Sequence, residues 1–377
     1  MKKKAIITTP QNTIVPIIKV VGNHCNLRCR YCFYNLNDQS IPCLLKEELL
    51  EKFLEEYMEL FNGRLLFIWH GGEPLLAGIP FFQKVVELQR KYIRHGHVVR
   101  NSIQTNATLV NDKWATFLKA HNFNVGVSID GDEKSHDRFR ITRTEKGSHN
   151  HVLKGIATFR HYGIDVGIIQ TLTRSNTERI TENFNFFLDI LGAKSWGINV
   201  YFDPEQLNKA MSDQNVSNED LTLFLKICID LWLDRNLSHL RIREIENFIH
   251  GVFGKRAPNC TFNGSCTGFI CLDYDGKIYP CDRLSNRTEL SFGNLSKQSL
   301  VGILNSSKRL QYANDVNSNH QDCIACEWRN ACHNGCASQR IGSIKGKYYY
   351  CPTRKEVFAY LKSKVNKHGF LTTTPLT

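Results

Sequence analysis

The sequence lacks a long apolar run. No stretch approaches the ~20 consecutive apolar residues that a membrane-spanning helix needs. Residues 5–9, which follow the basic start at residues 2–4, are too few for the apolar core of a signal peptide. We therefore expect a protein of the cytoplasm with no membrane-embedded part.

The sequence also lacks a recognisable nucleic-acid-binding motif. Its formal net charge is +12, but no block of basic residues occurs beyond residues 2–4. A basic surface can attract nucleic acid, an anionic membrane or an acidic peptide. Because the charges are scattered, we expect a generally basic surface and no nucleic-acid partner. The 377 residues, 42% of them hydrophobic and 22% charged, are typical of a globular chain with one large and one smaller domain.

Cysteine, in contrast, is abundant, with 14 residues. A disulfide framework is not expected in the cytoplasm, so dense cysteines indicate metal binding or catalysis. Three lie between Cys25 and Cys32, and nine lie between Cys260 and Cys351. Only Cys43 and Cys228 stand apart, and we interpret them as buried or incidental thiols, because cysteine packs as a small hydrophobe.

Short apolar runs alternate with amphipathic stretches over the first two thirds of the chain. This pattern predicts βα units around a parallel sheet, and six units would form a partial, open (β/α)6 TIM-like barrel. Asp112 is placed to cap one of the helices. The predicted strands are 16–21, 65–69, 98–105, 124–129, 165–172 and 195–201, and the predicted helices are 44–60, 80–94, 112–121, 151–162, 177–191 and 221–235.

The composition changes near Lys255 to short segments rich in glycine and cysteine. We predict a domain boundary there, and a loop at 204–220. The predicted parts are an N-terminal extension (1–15), a catalytic core (16–235), a linker or helix (236–255), a cysteine-rich domain (256–355) and a C-terminal tail (356–377).

The first cysteine group follows the first predicted strand. Cys25, Cys29 and Cys32 form a C-x3-C-x2-C motif on a single loop. Three thiolates can hold three irons of a four-iron cluster and leave the fourth iron open, and an open position is where a metal does chemistry. The alternatives are a zinc site without its fourth ligand, or three core cysteines.

This motif resembles that of the radical S-adenosylmethionine (SAM) superfamily. The resemblance implies that the open iron chelates SAM, whose reductive cleavage releases a 5′-deoxyadenosyl radical. Gly71-Gly72-Glu73, which follow the second predicted strand, are similar to the GGEP motif of this family, which binds the methionine amino group. A Gly-Gly pair alone is usually only a turn.

Further residues follow the next predicted strands in the order that the family has. The resemblance implies that Ser128, Asp130 and Arg140 contact SAM, and that Tyr31 lies beside its adenine. In a barrel of this kind the chemistry takes place at the carboxyl ends of the strands, and Cys25, Gly71, Ser128 and Asp130 all lie at or just beyond such ends.

The second cysteine group resembles the SPASM iron–sulfur domain of radical SAM enzymes that modify peptides and small proteins. The resemblance covers about residues 16–355 and implies two auxiliary four-iron clusters, for a total of three. It assigns Cys260, Cys266, Cys281 and Cys336 to auxiliary cluster I, and Cys323, Cys326, Cys332 and Cys351 to auxiliary cluster II.

Two ambiguities remain in this group. Cys271 is left over, either as a packing thiol or as a ligand that displaces Cys266. The spacing C-x2-C-x5-C-x3-C, from Cys323 to Cys336, could also be a zinc knuckle.

Two residues are candidate catalytic groups. Asp282 directly follows Cys281, where the aspartate of anaerobic sulfatase-maturating enzymes acts as a base on the substrate; the alternative is a turn aspartate beside Arg283. His70 precedes the Gly-Gly pair, where those enzymes usually have Gln, and the form found here resembles maturases that make cyclophane-type cross-links. His70 could instead be a structural histidine at a strand end.

The sequence therefore predicts a radical SAM enzyme that oxidatively modifies a peptide, and we favour cross-linking of a ribosomally made precursor peptide. The alternative reaction is conversion of Ser or Cys to formylglycine in a sulfatase. A non-catalytic iron–sulfur or zinc protein is the alternative of another class. The expected cofactors are SAM and three four-iron clusters, and the expected partners are the peptide and an electron donor such as flavodoxin or ferredoxin.

Overall fold

The computed structural model describes residues 14–34, 43–204, 214–237, 239–318 and 320–368. The predicted N-terminal extension, the predicted loop at 204–220 and the predicted C-terminal tail lie partly outside these residues. In the described part of the chain, no helix is long and apolar enough to cross a membrane.

The strands confirm the predicted alternation, and all six predicted strands occur with ends within two residues of those expected. The strands are β1 (Val15–Lys19), β2 (Arg64–His70), β3 (Val98–Thr105), β4 (Asn124–Ser128), β5 (Val166–Leu172), β6 (Ser195–Val200), β7 (Arg241–Ile242), β8 (Phe269–Leu272), β9 (Lys277–Tyr279) and β10 (Gly293–Asn294).

Helices follow β1 to β6 in turn, which confirms the α/β class and the six βα units. The helices are α1 (Glu47–Leu60), α2 (Gly78–Tyr92), α3 (Asp112–Ala120), α4 (Glu133–Asp137), α5 (His149–His161), α6 (Arg174–Thr177), α7 (Ile180–Asn185), α8 (Asn218–Asp234), α9 (Arg243–Val252), α10 (Cys260–Asn263), α11 (Leu300–Leu304), α12 (Ser307–Asn317), α13 (Gln321–Ile324), α14 (Arg329–Cys332) and α15 (Cys351–His368).

The chain forms two compact units. The first consists of the described residues of Met1–Ile129, together with His136–Ile168 and Ser265–Asp315. Its strands lie in the order β10-β9-β8-β1-β2-β3-β4. β1 to β4 are parallel, β8 is parallel to β1, and β9 pairs antiparallel with both β8 and β10. Three strands from the predicted cysteine-rich domain therefore extend the sheet of the first unit.

Strand β1 lies between two partners, and its side chains are buried accordingly. Ile17 is in register with Ile68 on β2 and with Cys271 on β8, and Ile17, Cys271 and Tyr279 form one buried cluster. Parallel strands covered on both faces are usually continuous apolar runs, as here. Burial raises the pKa of the Cys271 thiol well above its usual value, which supports its interpretation as an uncharged packing residue.

The second unit contains Asp130–Ser135, Ile169–Gly264 and the described residues of Val316–Thr377. Its strands β5, β6 and β7 are neighbours in that order. Helix α15 packs against α8 and α9, and the rings of Trp328 and Phe358 stack with their centroids 4.7 Å apart. Helix α15 continues without a break across residues 355–356, where the sequence predicted a boundary between the cysteine-rich domain and the C-terminal tail. Cys228, on α8, is fully buried, as its packing role predicts.

Two details of the predicted helices are wrong. Asn111, not Asp112, caps α3, and its side-chain oxygen accepts a hydrogen bond from the Trp114 N–H at 3.1 Å. The predicted helix 177–191 is instead two short helices, α6 and α7, followed by a π-helical turn. The wider π turn allows the consecutive residues Phe186 and Phe187 both to be buried, which regular α-helical spacing disfavours.

A buried histidine fixes the segment between α4 and α5. His136 is fully buried, and its Nε2 lies 3.0 Å from the Ser148 hydroxyl, which donates to the Arg140 carbonyl at 2.7 Å. Asp137 accepts the backbone N–H groups of Ser148 and His149. Burial, with the nearby Arg140 and His149, lowers the pKa of His136 well below its usual value.

This shift predicts a loss of stability in acid. Below the unfolded-state pKa of about 6.5, the unfolded chain binds a proton at His136 that the folded chain does not, so stability falls by up to about 1.4 kcal/mol per pH unit. We expect His136→Gln to flatten the fall of the anaerobic melting temperature between pH 7.5 and 5.5. The exposed His151→Gln is the matched control, and equal slopes for the two variants would contradict the prediction.

Candidate active site

The loop that follows β1, residues 20–32, contains the three predicted cluster ligands and is called the cluster-binding loop; it is held by the segment after α4. The Arg28 N–H donates to the Ile141 carbonyl at 2.8 Å. The guanidinium group of Arg143 donates to the Cys25 carbonyl through two nitrogens, at 2.8 and 3.1 Å. Cys25, Cys29 and Cys32 are all half-buried residues of this loop.

The turn after β2 contacts the cluster-binding loop through its backbone. The Gly72 N–H donates to the Gly22 carbonyl at 2.8 Å, and the Glu73 N–H donates to the His24 carbonyl at 2.9 Å. A Cβ atom on Gly72 would lie only 1.8 Å from the His24 oxygen. Gly71 has a φ of +109°, which L-residues rarely adopt. Both glycines are therefore required by the approach of the two backbones.

Glu73 is fully buried at this junction, and three donors hold its carboxylate. These are the Asn106 N–H at 2.7 Å, the Thr105 hydroxyl at 2.8 Å and the Leu75 N–H at 3.0 Å. Burial raises the pKa of Glu73 to about 7, although the three hydrogen bonds oppose the shift. Burial and the Glu73 charge also raise the pKa of Cys25 to about 12. The carboxylate thus lies beside the first predicted iron ligand, where the resemblance places the SAM amino group.

Three predicted SAM contacts lie in the same unit. Arg140 and Tyr31 are both buried, with the guanidinium carbon 5.4 Å from the centre of the Tyr31 ring. The Ser128 hydroxyl accepts a hydrogen bond from the Gln104 side chain at 3.0 Å. The pairing of Arg140 with Tyr31 is compatible with a nucleotide-binding role, which remains a prediction for all three residues.

Asp130 belongs to the second unit. It is fully buried, and its carboxylate accepts the Thr171 N–H at 2.9 Å, while its carbonyl accepts from the Gln170 side chain at 3.0 Å. These bonds attach Asp130 to β5. The predicted SAM contact of Asp130 remains a prediction, and the bonds to β5 give the residue a structural role.

Sequence reasoning missed a buried cation at the end of β1. Lys19 is 2% exposed, and its ammonium group lies 2.8 Å from the Asp273 carboxylate and 3.3 Å from the Ser285 hydroxyl. It also lies 4.8 Å from the centre of the Tyr34 ring, which is buried as well. A single lysine at the end of an apolar strand was the available signal, because a strand buried on both faces has no place for an unpaired charge.

Tyr34 connects this cation to the predicted catalytic residues. Its hydroxyl lies 3.3 Å from His70 Nδ1. Burial, followed by the nearby Asp282 charge, raises the pKa of Tyr34 above its usual value. Burial lowers the pKa of His70, which Asp282 opposes and Lys19 reinforces, so His70 is neutral at pH 7. Tyr34 and His70 are therefore in contact in the first unit, and the Asp282 charge acts on both.

The predicted ligands of auxiliary cluster II lie together in the second unit. Cys323, Cys326, Cys332 and Cys351 line one cavity. Burial and the three neighbouring thiols raise the pKa of Cys323. Four thiols around a single cavity are a donor set that fits a fully ligated four-iron cluster. Among the described residues, no three or more His, Cys, Asp or Glu side chains are arranged to hold a single metal ion.

The predicted ligands of auxiliary cluster I are divided between the units. Cys266 and Cys281 belong to the first unit, and Cys260 and Cys336 belong to the second. Their assignment, like the choice between Cys266 and Cys271, remains a prediction. The fully buried position of Cys271 on β8 supports Cys266.

Comparison with known families decides the class of the chain. Residues 20–187 match the radical SAM superfamily, and residues 260–327 match the SPASM iron–sulfur cluster-binding domain. The protein is a radical SAM enzyme with a SPASM domain. Its cofactors are SAM and four-iron clusters, so the zinc and non-catalytic alternatives are not supported.

Curated relatives of this radical SAM enzyme include sulfatase maturases. The cysteine-type anaerobic sulfatase-maturating enzyme of Clostridium perfringens is 29% identical over 91% of this chain and 95% of its own. The serine-type enzyme of Bacteroides thetaiotaomicron is 29% identical over 92% of this chain and 88% of its own.

Solved structures agree with the fold. The structure of anSMEcpe with bound AdoMet and a peptide has a TM-score of 0.85 at 28% identity, over 94% of this chain and 98% of that one. The structure of Streptococcus suis SuiB bound to its precursor peptide SuiA has a TM-score of 0.64 at 14% identity, over 89% of this chain and 75% of that one. This second likeness supports the fold alone.

The first prediction for the site concerns Gly72. We expect Gly72→Ala to weaken SAM binding by at least tenfold, because the new Cβ separates the turn from the cluster-binding loop. Isothermal titration of the anaerobic enzyme with SAM measures this effect. Gly302→Ala is the control, because its new Cβ would meet only the Ser299 hydroxyl, at 3.1 Å. Unchanged affinity in Gly72→Ala would contradict the close-approach argument.

The second prediction concerns the iron content. Replacing Cys25, Cys29 and Cys32 together by Ala should remove four of about twelve irons per chain and abolish 5′-deoxyadenosine formation. Colorimetric iron analysis and chromatography of the products measure the two effects. Cys43→Ala, a change of a partly exposed thiol outside both cysteine groups, should keep all the irons. Continued SAM cleavage by the triple variant would disprove the assignment.

Proposed function

We propose that this radical SAM enzyme oxidatively modifies a peptide, and that the modification is a cross-link between two side chains of a ribosomally made precursor peptide. The structure of anSMEcpe described above holds a peptide. A peptide is therefore the substrate class that this relative supports for the present chain. The choice of cross-linking depends on the residues around His70.

The observation that carries the proposal is the group formed by His70, Tyr34 and Asp282. His70 is neutral, and its Nδ1 lies 3.3 Å from the Tyr34 hydroxyl, which keeps its proton because burial raises the pKa of Tyr34. A neutral imidazole is a flat ring that packs on aromatic side chains, whereas the Gln of sulfatase-maturating enzymes presents an amide. The presence of His at position 70, where sulfatase-maturating enzymes have Gln, thus favours binding of an aromatic side chain of the substrate.

Asp282 completes the chemistry of such a reaction. Bound SAM and its cluster supply the radical that removes a hydrogen atom from the peptide, and the auxiliary clusters supply an acceptor for one electron. Joining the resulting carbon radical to an aromatic ring leaves a ring carbon with one proton too many. We assign Asp282 as the carboxylate that accepts this proton. The peptide loses two hydrogens in total: one atom to the adenosyl group, and one as a proton and an electron.

Formylglycine formation is the second candidate. Two observations favour it: the sulfatase-maturating relatives that match over about nine tenths of the chain, and the position of Asp282 directly after Cys281. In that reaction the same carboxylate would accept the proton of a Ser hydroxyl or Cys thiol. The two candidates therefore share Asp282 and differ at His70.

The product distinguishes the candidates. The reconstituted enzyme is incubated with SAM and dithionite, and either with a short peptide encoded beside its gene or with a sulfatase-type Ser or Cys peptide. We expect the first peptide to lose two hydrogens and to remain unreactive toward a hydrazide, because no aldehyde forms. A hydrazide-reactive product from the sulfatase peptide alone would establish the second candidate.

Variants test the role of the residues. We expect His70→Gln to lower the amount of cross-linked peptide per 5′-deoxyadenosine by at least tenfold, because substrate placement fails while SAM cleavage continues. Asp282→Asn should show the same uncoupling. His151→Gln, on the exposed face of α5, is the matched control. Full coupling in His70→Gln would contradict the proposal.

A further inference from the structure

The cavity that holds the predicted ligands of auxiliary cluster II also contains a buried cation. Arg354 lines this cavity together with Cys323, Cys326, Cys332 and Cys351. It lies one helical turn beyond Cys351 on α15, so both side chains are on the same face of that helix. Only 7% of Arg354 is exposed. A permanently charged guanidinium group therefore lies beside four thiols, largely shielded from water.

Aromatic rings fix the position of Arg354. Its guanidinium carbon lies 3.2 Å from the centre of the Phe262 ring and 5.6 Å from that of Phe248. Nη2 donates to the Thr261 carbonyl at 3.3 Å. The guanidinium plane is thus held on a ring face, which leaves its other N–H groups pointing in fixed directions.

One nitrogen of this side chain has a donor without an acceptor. Nη1 of Arg354 is buried and has no hydrogen-bond partner among the described residues, although the guanidinium group also interacts with the buried Tyr348, whose ring centre lies 5.2 Å from its carbon. A buried unsatisfied donor costs about 1–3 kcal/mol, and more when it is charged. A four-iron cluster in the cavity would present sulfur atoms as acceptors.

Two other cations, Arg329 and Lys355, also line this cavity, and neither is as buried as Arg354. The buried Arg340 donates to backbone carbonyls, including those of Asn334, Val316 and Ile344. Lys347 pairs with Asp322 at 2.6 Å. Lys355 is exposed, so water screens its charge.

We propose that Arg354 donates a hydrogen bond through Nη1 to the four-iron cluster held by Cys323, Cys326, Cys332 and Cys351, and thereby raises the reduction potential of that cluster. Reduction adds one negative charge to the cluster, and a buried cation stabilises the reduced form more than the oxidised form. The raised reduction potential makes auxiliary cluster II a better acceptor for the electron that the substrate loses than it would be without Arg354. Arg354 is thus a positioning residue for electron flow, whichever peptide is modified.

An EPR-monitored redox titration of the anaerobic holoenzyme tests this proposal. Cys326→Ser, which replaces one thiolate ligand, identifies the titration step that belongs to auxiliary cluster II. We expect Arg354→Met to change that step alone. At a fixed potential, the ratio of reduced to oxidised auxiliary cluster II should fall at least tenfold. A tenfold fall corresponds to a reduction potential lower by about 59 mV for one electron. Arg354→Lys, which keeps the charge but loses the planar fork, should shift it less.

Two further measurements separate the proposal from a structural effect. Lys355→Met removes a cation from the next position of α15, where water screens it, and should leave the step nearly unchanged. Pulsed EPR in heavy water should detect an exchangeable proton coupled to the cluster in the wild-type protein and in Lys355→Met, but not in Arg354→Met.

The outcomes that overturn the proposal are specific. Equal shifts in Arg354→Met and Lys355→Met would exclude a special role for the buried cation. A retained proton coupling in Arg354→Met would exclude the hydrogen bond. No change in any step on Cys326→Ser would remove the ligand assignment on which the proposal rests, without affecting the proposed peptide chemistry. If Arg354→Met loses four irons, Arg354→Lys replaces it as the test. An unchanged reduction potential and an unchanged proton coupling in Arg354→Lys would then overturn the proposal.

Discussion

The arrangement of the radical-generating site depends on one close approach between two backbones. The turn after β2 donates N–H groups to carbonyls of the cluster-binding loop, and Gly72 lies so near His24 that no side chain fits between them. This contact places the Glu73 carboxylate beside Cys25. The acid that is predicted to hold SAM and the thiol that is predicted to hold iron are thus positioned by the same pair of hydrogen bonds.

Buried charge is the second organising element. Glu73 keeps a carboxylate out of water with three donors, and Lys19 keeps an ammonium group out of water with Asp273 and Ser285. Removing one partner of such a pair typically costs about 3–5 kcal/mol, because the remaining charge is left uncompensated. Lys19, whose ammonium group lies 4.8 Å from the centre of the Tyr34 ring, is therefore held in place by its partners.

Much of the fold could be predicted from sequence because the parallel strands are covered on both faces. Such strands are apolar runs with clear ends, and all six were placed within two residues. The break at 177–191 could not be predicted, because the apolar spacing there suits a regular helix and the π turn is set by tertiary packing of Phe186 and Phe187. The parallel pairing of β8 with β1 was also missed, because β8 has only four residues and its partner is distant in the chain.

The site residues likewise fall into two groups: those that a local sequence pattern predicts, and those whose significance depends on contacts between distant parts of the chain. The spacing within one loop predicts Cys25, Cys29 and Cys32 as cluster ligands, because the three residues are close together in sequence. Tyr34 and Arg354 carry no local signal of function, and the only local signal of Lys19 is its position at the end of an apolar strand. Each gains its significance from residues far away in sequence, as with Lys19 and Asp273, which are 254 positions apart. Burial of their polar groups, which requires the fold, is what distinguishes these three residues.

The placement of β8, β9 and β10 limits how the chain can be divided. Residues Ser265–Asp315 complete the first compact unit, although sequence composition assigns them to a separate C-terminal domain. A truncation near residue 255 would strip β1 of a neighbour, leave open backbone groups along its edge, and deprive Lys19 of its counter-ion. The catalytic half and the cysteine-rich half are therefore not interchangeable modules, and chimeras with other maturases would need their crossover points outside this shared sheet.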